Sequence, residues 1–389
     1  MHFHLASAEK AATRLRRPNF DRGNIEVVSI GDDGRSDLRI PPDTKAEFSQ
    51  WFHFRLSGAA ATPCTISILN AGETSYPDGW KNYNMCASYD QEEWFRVPTR
   101  FKEGVLTCEL TPEHNSMFFA YFAPFSYPRH LDMIHSAQDS PLCSVEVIGE
   151  TVEGRDIEML KIGEPGLAKK HIWMVARQHP GESMAEWFVM GFLEKMLNES
   201  DAVSRKILEQ ACIYVIPNMN IDGSIAGNLR ANTAGANLNR EWENPSLERS
   251  PEVYHALAKM DDIGVDLMLD VHGDEALPYN FVAGSEGIPS YDNYLEGLEN
   301  KFKAAWMATC PDFQDVHKYD LDEPGTANMT VCSNQIGERF HCLSYTIEMP
   351  FKDNVEMPDE RYGWSPDRSI ELVKSVLYPI LAVLGDINV

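Results

Sequence analysis

The sequence HIWMVARQHPGESMAEW, residues 171–187, determines how the rest of the chain is interpreted. It begins as an apolar run typical of a buried strand, is interrupted by a Pro-Gly pair, and continues as an amphipathic helix. His179 and Glu182 lie at the interruption, three residues apart, so a turn can bring both side chains to one point. An imidazole and a carboxylate are ligands that zinc accepts. Because this spacing also arises by chance, its meaning depends on the other segments of the chain.

The composition indicates a soluble, globular and strongly acidic protein. The chain has 389 residues, 43% hydrophobic and 24% charged, and this length allows two domains with separate cores. The formal net charge of −25 argues against binding to nucleic acid or anionic membranes, since both would be repelled. No apolar run reaches the roughly 18 residues of a membrane span, and the N-terminal residues lack the apolar core of a secretion signal. Eight cysteines without paired short spacings indicate free thiols and a cytoplasmic location.

Residues 1–136 are expected to form an antiparallel β-sandwich domain. Residues 1–18 resemble a short helix or a loose arm. Turn-rich pieces then separate six apolar or alternating runs, at residues 25–30, 51–56, 64–69, 94–97, 105–110 and 117–122. Six aromatic residues between positions 118 and 127 close this region. We interpret them as a core between two domains, and a carbohydrate- or peptide-binding platform is the alternative.

Residues 137–389 are expected to form a second domain of the α/β class. Apolar strands are predicted at residues 146–147, 157–162, 171–176, 211–217, 265–271 and 341–348, with 146–162 as a hairpin. Helices are predicted at residues 183–197, 251–260, 291–308 and 367–384. This alternation predicts a mixed, mostly parallel sheet flanked by helices. In such sheets, ligands bind outside the carboxyl ends of the strands.

A second histidine is expected at the same edge of this sheet. The run DLMLDVHGD, residues 266–274, places His272 just past the end of an apolar strand. A lone histidine there is usually structural, but beside the turn of His179 and Glu182 it is a natural third zinc ligand. Two imidazoles and one carboxylate leave the fourth tetrahedral position open, as hydrolytic zinc sites require. Zinc lowers the pKa of a bound water to about 7 and so provides a nucleophile at neutral pH.

Two further segments supply charged groups. Residues 217–242 are rich in Asn, Gly and Arg, and a polar segment of this length inside a compact domain is uncommon unless it is functional. Its Arg230 and Arg240 can bond a carboxylate bidentately and stay charged, and Asn239 adds amide donors. In the segment YTIEMP, residues 345–350, Glu348 ends a strand and can serve as a general base. The simplest alternative is that residues 217–242 form a solvated loop and that Glu348 is an ordinary carboxylate at the end of a strand.

The motifs HPGE, PNMNIDGSIAGNLRAN, GANLNREW, LDVHGD and YTIEMPF occur in this order, and together they resemble the M14-type zinc metallocarboxypeptidases. The GNLR and NLNR forms, and the sandwich ending in FAPFSY, resemble the cytosolic carboxypeptidase subgroup, whose members include protein deglutamylases. The resemblance extends from about Phe20 to the C-terminus. It implies a peptidase that acts on the C-termini of peptides or proteins.

The resemblance also implies roles for particular residues. One zinc ion per chain would be held by three ligands, namely His179, Glu182 and His272. Glu348 matches the general base that activates the attacking water and passes its proton to the leaving amine. Arg230 matches the arginine that stabilises the oxyanion. Asn239 and Arg240 match the pair that holds the terminal α-carboxylate of the substrate, which would restrict cleavage to chain ends.

The sequence departs from the family pattern at two places and leaves the side-chain preference open. Asn237 stands where many relatives have an aspartate that orients the first zinc histidine, so the basicity of that ligand should fall somewhat. Tyr319 is only a candidate for the mobile active-site tyrosine of the family. Lys318 and Arg339 could line a pocket for a C-terminal Glu or Asp, or could be surface charges. The subgroup resemblance favours acidic C-terminal residues.

Two other functions are compatible with the sequence. A zinc amidohydrolase of the acyl-amino-acid deacylase kind resembles the same scaffold and uses a similar zinc site. A non-catalytic peptide- or sugar-binding protein with a structural zinc is the alternative from another class. The NLNR motif and the N-terminal sandwich favour the peptidase. The sequence is compatible with a homo-oligomer and does not identify the substrate.

Overall fold

The computed structural model describes residues 23–166 and 169–388, together with the backbone of a short strand at Arg14–Arg16. The strands in these parts of the chain are β1 (Arg14–Arg16), β2 (Glu26–Ile30), β3 (Arg35–Arg39), β4 (His53–Ser57), β5 (Cys64–Ile68), β6 (Met85–Ser88), β7 (Phe95–Val97), β8 (Thr99–Lys102), β9 (Val105–Leu110), β10 (Ser116–Ala120), β11 (Cys143–Glu150), β12 (Asp156–Ile162), β13 (Lys170–Ala176), β14 (Ala211–Ile216), β15 (Leu267–Asp274), β16 (Phe281–Ala283) and β17 (Leu343–Pro350). The helices are α1 (Tyr127–Gln138), α2 (Met184–Met196), α3 (Ala202–Leu208), α4 (Ile221–Ala226), α5 (Pro251–Ile263), α6 (Asn293–Thr309), α7 (Cys332–Phe340) and α8 (Pro366–Leu384).

The first ten strands form two five-stranded sheets, and the predicted sandwich is confirmed. Their orders are β1-β4-β10-β6-β7 and β2-β3-β5-β9-β8. Each of the six predicted strands is present within two residues of its expected bounds. All pairs are antiparallel except β3 and β5, which run parallel because the chain visits the other sheet through β4 between them. The arm expected at residues 1–18 lies almost entirely outside the described residues.

The second half of the chain contains a seven-stranded mixed sheet, as predicted, in the order β11-β12-β14-β13-β15-β17-β16. The four strands β14, β13, β15 and β17 are parallel, and the outer strands pair antiparallel. Alternation along β13 fills two cores, because successive side chains point to opposite faces. Ile172 and Met174 pack into the core that contains α2 and α8, and Trp173 and Val175 into the core that contains α5.

Several helices were not predicted. Helix α1 begins after Ser126, whose side chain accepts a hydrogen bond from the backbone N–H of Arg129, and it spans the domain boundary expected at residue 136. That boundary stays a prediction.

Within the polar segment 217–242, α4 is capped by Asn220 and ends at Gly227, which adopts a left-handed φ of 77°. The segment is therefore ordered by caps and turns rather than by apolar periodicity.

The aromatic cluster joins the sandwich to the α/β domain, as the core interpretation predicts. Tyr121 stacks on Phe351 with ring centroids 4.4 Å apart, and Phe125 meets Trp187 edge to face at 4.8 Å. All four rings are buried, so they stabilise the junction by removing apolar surface from water. The eight cysteines are free thiols, as expected. Among the helices of the described residues, none has the length and apolar character needed to cross a membrane.

Candidate metal centre and active-site cavity

Three buried side chains meet beside the ends of β13 and β15. After β13, the turn Gln178–Ser183 presents His179 and Glu182, and β15 presents His272. The Nδ1 atom of His179 lies 2.7 Å from Oε1 of Glu182, and the Nδ1 atom of His272 lies 2.7 Å from Oε2. The two Nδ1 atoms are 3.1 Å apart. The predicted ligands therefore converge, although His272 lies inside β15 because its pairing with β17 extends to Asp274.

The outer partners of the two imidazoles determine which nitrogens face the centre. The side-chain Oδ1 of Asn237 accepts a hydrogen bond from the backbone N–H of Asn239 at 3.1 Å, which identifies this atom as the amide oxygen. Nε2 of His179 lies 3.0 Å from the same oxygen and therefore donates a hydrogen bond to it. Nε2 of His272 lies 2.9 Å from a carboxylate oxygen of Asp270 and donates to it. With the outer nitrogens donating, both Nδ1 atoms can present lone pairs to a cation beside Glu182. Two imidazole nitrogens and one carboxylate that converge in this way are a donor set that fits zinc.

The pKa values of the two histidines are shifted in opposite directions by their burial and by the charges around them. Burial opposes a positive charge on both rings, but Asp270 and Glu182 raise the pKa of His272 well above its usual value. Burial and Arg230 lower the pKa of His179 to about 4, and its outer partner Asn237 is neutral. The lower basicity expected from the asparagine itself stays a prediction. Asp270 was missed, although its position two residues before His272 on one strand places both on the same face of the sheet.

We expect Asp270→Asn to weaken zinc binding by about 10- to 100-fold, because an amide stabilises the ligand imidazole less than a carboxylate does. Competition with a chromophoric chelator would measure the affinity. The matched control is Asp266→Asn, since the carboxylate of Asp266 instead accepts the backbone N–H of His171 at 2.6 Å. Equal affinities in the two variants would contradict the orienting role of Asp270.

The turn that carries the ligands is held in place by groups that sequence reasoning did not identify. Arg177 adopts a left-handed φ of 57°, and its buried guanidinium donates to the carbonyl of Pro180 at 2.8 and 2.9 Å and to that of Phe125 at 3.1 Å. It also pairs with buried Glu186. Gly181 donates its N–H to the carbonyl of Leu229 at 2.8 Å, and a Cβ at residue 181 would lie 3.0 Å from that oxygen. A glycine is therefore needed where the two backbones approach.

Glu348 lies directly across from His272 in the register of β15 and β17. One carboxylate oxygen is 3.1 Å from the hydroxyl of Tyr319, and the other is buried without a hydrogen-bond partner among the described residues. Burial raises the pKa of Glu348 well above its usual value. Tyr319 is also 2.6 Å from Asp274, so the candidate tyrosine reaches the site. Glu348 lies inside β17, not at its end, because β16 pairs with β17 at this position.

Two guanidinium groups face the same cavity without a carboxylate partner. Among the described residues, no carboxylate oxygen lies within 4 Å of either Arg230 or Arg240. The guanidinium of Arg230 lies 5.5 Å from the ring of Tyr76. Arg240 donates to the carbonyl of Asn239 at 2.6 Å, and the amide oxygen of Asn239 accepts the N–H of Cys332 at 2.8 Å. The free guanidinium edges can therefore receive an anion.

The cavity has a volume of about 450 Å³, and all seven predicted site residues line it. Lys318 also lines it and pairs with Asp315 at 2.8 Å. Arg339 does not line it. Arg339 pairs with Asp261 at 2.7 Å and is a surface charge, so of the two cations considered for a side-chain pocket only Lys318 remains. The three cations of the lining, Arg230, Arg240 and Lys318, face a cavity that also carries seven carboxylates, so its lining is not net positive.

Comparison with protein-family models gives two matches that together cover most of the chain. Residues 131–369 match the zinc carboxypeptidase model, and residues 17–122 match the model of the cytosolic carboxypeptidase N-terminal domain.

Individual relatives agree with these matches. An uncharacterized protein of Zymomonas mobilis is 43% identical over 94% of this chain and 95% of its own length. Cytosolic carboxypeptidase 6 of Caenorhabditis elegans is 24% identical over 86% of this chain and 78% of its own length. The solved structure of a metallo-carboxypeptidase from Pseudomonas aeruginosa, in complex with (2-guanidinoethylmercapto)succinic acid, is 42% identical with a TM-score of 0.93. It covers 96% of this chain and 100% of its own.

Proposed function

Because this chain belongs to the zinc carboxypeptidase family and carries the N-terminal domain of its cytosolic members, we propose that it removes C-terminal residues from peptides or proteins. The observation that carries the proposal is the convergence, in one cavity, of a zinc-fitting donor set, a buried carboxylate and two guanidinium groups that have no carboxylate partner among the described residues. Each group corresponds to one requirement of peptide hydrolysis at a chain end. The eight free cysteines support a cytoplasmic setting for this activity.

We assign the three ligands of one zinc ion to His179, Glu182 and His272. Zinc bound there would act as a Lewis acid and would lower the pKa of a water molecule in the cavity towards about 7. Glu348 accepts a proton from the attacking water and then delivers it to the leaving amine, through the oxygen that has no hydrogen-bond partner in the described parts of the chain. Its burial favours this exchange, because a raised pKa brings proton affinity closer to neutral pH.

Arg230 and Arg240 act on different charges of the substrate. Arg230 stabilises the oxyanion that develops on the scissile carbonyl, since its half-buried guanidinium lines the cavity beside the donor set and remains charged. Arg240 and Asn239 bind the terminal α-carboxylate. A substrate without this carboxylate would leave the guanidinium of Arg240 desolvated and unpaired, at a cost of a few kcal/mol. This difference makes the enzyme an exopeptidase.

We further propose a preference for substrates that end in Glu or Asp. Lys318 supports it, since it lines the cavity and can receive a side-chain carboxylate by exchanging its pairing with Asp315. The molecule bound to the Pseudomonas relative carries both a succinic acid and a guanidino group, so it does not favour either charge for the substrate side chain here. Glu286 lines the same cavity, so Lys318 would have to outweigh a nearby negative charge.

The free and C-terminally amidated forms of one peptide provide the test. We expect amidation to lower kcat/KM by at least about 100-fold, because the pairing of Arg240 is lost. Released amino acids would be quantified for peptides that end in Glu, Asp, Leu or Lys, with and without a chelator. Peptides ending in Glu and Asp should be cleaved fastest, and the chelator should stop all release.

Other results would favour the alternative functions. Equal turnover of both forms would contradict the carboxypeptidase assignment, and cleavage of N-acyl amino acids in preference to peptides would indicate an amidohydrolase. A zinc-loaded protein that releases nothing from any peptide would indicate a non-catalytic binding protein. Faster cleavage of the Lys peptide would contradict the acidic preference and leave the exopeptidase assignment unchanged.

A further inference from the structure

The loop that carries Arg230 is held by a carboxylate of the N-terminal sandwich. We call residues 227–231 the arginine loop. Oδ1 of Asp43 accepts the backbone N–H of Leu229 at 2.6 Å. Its Oδ2 accepts the N–H of Arg230 at 2.7 Å and that of Ala231 at 2.9 Å. One side chain, 186 to 188 residues away in sequence, thus orders three consecutive peptide groups beside the cavity.

Asp43 is buried, so its carboxylate needs hydrogen-bond donors from the protein in place of water. The residue is only 5% exposed, and among the described residues no basic side chain lies within 4 Å of its carboxylate. Burial raises its pKa to about 6, although the three N–H donors oppose the shift. Burial of a carboxylate without a paired cation is costly unless hydrogen bonds replace its lost hydration. The three backbone N–H groups replace the lost hydration of the carboxylate, and their bonds to Asp43 fix the directions in which these N–H groups point.

Other residues of the sandwich contact the same loop. Thr44 donates both its N–H, at 3.0 Å, and its hydroxyl, at 3.1 Å, to the side-chain oxygen of Asn228. Asn24 donates to the carbonyl of Gly227 at 3.0 Å. These contacts restrain the loop on the side that faces the sandwich.

The guanidinium of Arg230 is restrained from the same domain. It lies 5.9 Å from the ring centroid of Phe48 and 5.5 Å from that of Tyr76. Both the backbone and the side chain of Arg230 are therefore positioned by residues outside the α/β domain. The arginine loop also contacts the turn Gln178–Ser183, because the carbonyl of Leu229 accepts the N–H of Gly181 at 2.8 Å.

We infer that Asp43 is a positioning residue for the reaction, through which the N-terminal sandwich directs Arg230 towards the scissile carbonyl. The inference rests on the proposed function, since it takes the oxyanion as the partner of Arg230. It explains why the α/β domain would need the sandwich for full activity. A loop without this anchor could still bind peptide, but it would place the guanidinium inaccurately in the transition state.

The test is Asp43→Asn, in which an amide group replaces one of the oxygens that accept N–H. We expect kcat to fall by about 10- to 100-fold, with KM changed less than about threefold, because misplacement of a transition-state contact lowers kcat. Hydrogen exchange measured by mass spectrometry should show faster exchange at Leu229, Arg230 and Ala231. Zinc content should be unchanged. The matched control is Asp201→Asn, which alters another carboxylate that accepts a backbone N–H, at Ser204, and should leave kcat unchanged.

A double-mutant cycle separates positioning from general destabilisation. If Asp43 acts through Arg230, Asp43→Asn should lower kcat no further once Arg230→Ala is present. Losses that multiply in the double variant, or an unchanged kcat in Asp43→Asn, would overturn the inference. Full activity in Arg230→Ala alone would instead refute the assigned role of Arg230. If Asp43→Asn does not fold, Thr44→Val replaces it in the cycle, since it removes only the hydroxyl bond to Asn228. The same non-additivity is expected, and multiplying losses would again overturn the inference.

Discussion

Replacement of Glu348 by glutamine should lower kcat by about 10²- to 10⁴-fold, the range expected when a general acid–base is removed. Glutamine preserves the shape of the side chain and can still contact Tyr319, but it cannot accept a proton from water. The buried oxygen of Glu348 that has no hydrogen-bond partner among the described residues is the atom whose function is lost. Initial rates on a peptide with a free C-terminus would measure kcat, and mass spectrometry would measure zinc per chain.

The zinc content of this variant should equal that of the unmodified protein, since Glu348 is not among the three ligands. Glu252→Gln is the matched control. Glu252 is a buried carboxylate whose pKa is raised by burial to about 7, but it does not line the cavity. Its replacement should change kcat by less than about twofold. Near-normal turnover in Glu348→Gln would remove the general-base assignment, and a loss of equal size in Glu252→Gln would show that buried charge in general determines the effect.

The parts of the site that were predicted depend on local spacing along the chain. His179 and Glu182 are three residues apart at a break between a strand and a helix, so one turn necessarily brings them close together. His272 and Glu348 follow from apolar strands, whose parallel neighbours align at one edge of the sheet. The roles of Arg230 and Arg240 came from the family resemblance, because a polar segment has no periodicity from which the direction of a side chain can be inferred.

The parts that were missed depend on contacts between distant segments. Asp43 meets residue 229 across 186 positions, and a single sequence contains no signal for such a pair. Arg177 adopts a left-handed backbone, which nothing in the residue type indicates. Helix α7 begins after Val331 without a side-chain cap, so its start could not be identified from a capping residue. Asp270 is different, because strand alternation alone could have placed it beside His272.

Replacement of His272 by alanine should weaken zinc binding more than about 100-fold, beyond the loss expected when only an outer partner of a ligand is removed. The two remaining ligands lie three residues apart on one turn, so nothing from β15 would close the donor set. Peptide hydrolysis should fall to background as a consequence. Metal content after dialysis provides a measurement that does not depend on activity.

A second readout is the thermal stability of the metal-free protein after addition of zinc. A ligand that binds only the folded state stabilises it by RT ln(1 + [L]/Kd), which is about 2.7 kcal/mol at 100 times Kd. Zinc should therefore raise the Tm of the unmodified protein and leave that of His272→Ala nearly unchanged. His53→Ala is the matched control, because His53 is 2% exposed against 1% for His272 but lies in the sandwich. A full zinc complement and a normal rise of Tm in His272→Ala would show that the ion does not bind between the two imidazoles, and the peptidase mechanism would then lose its metal site.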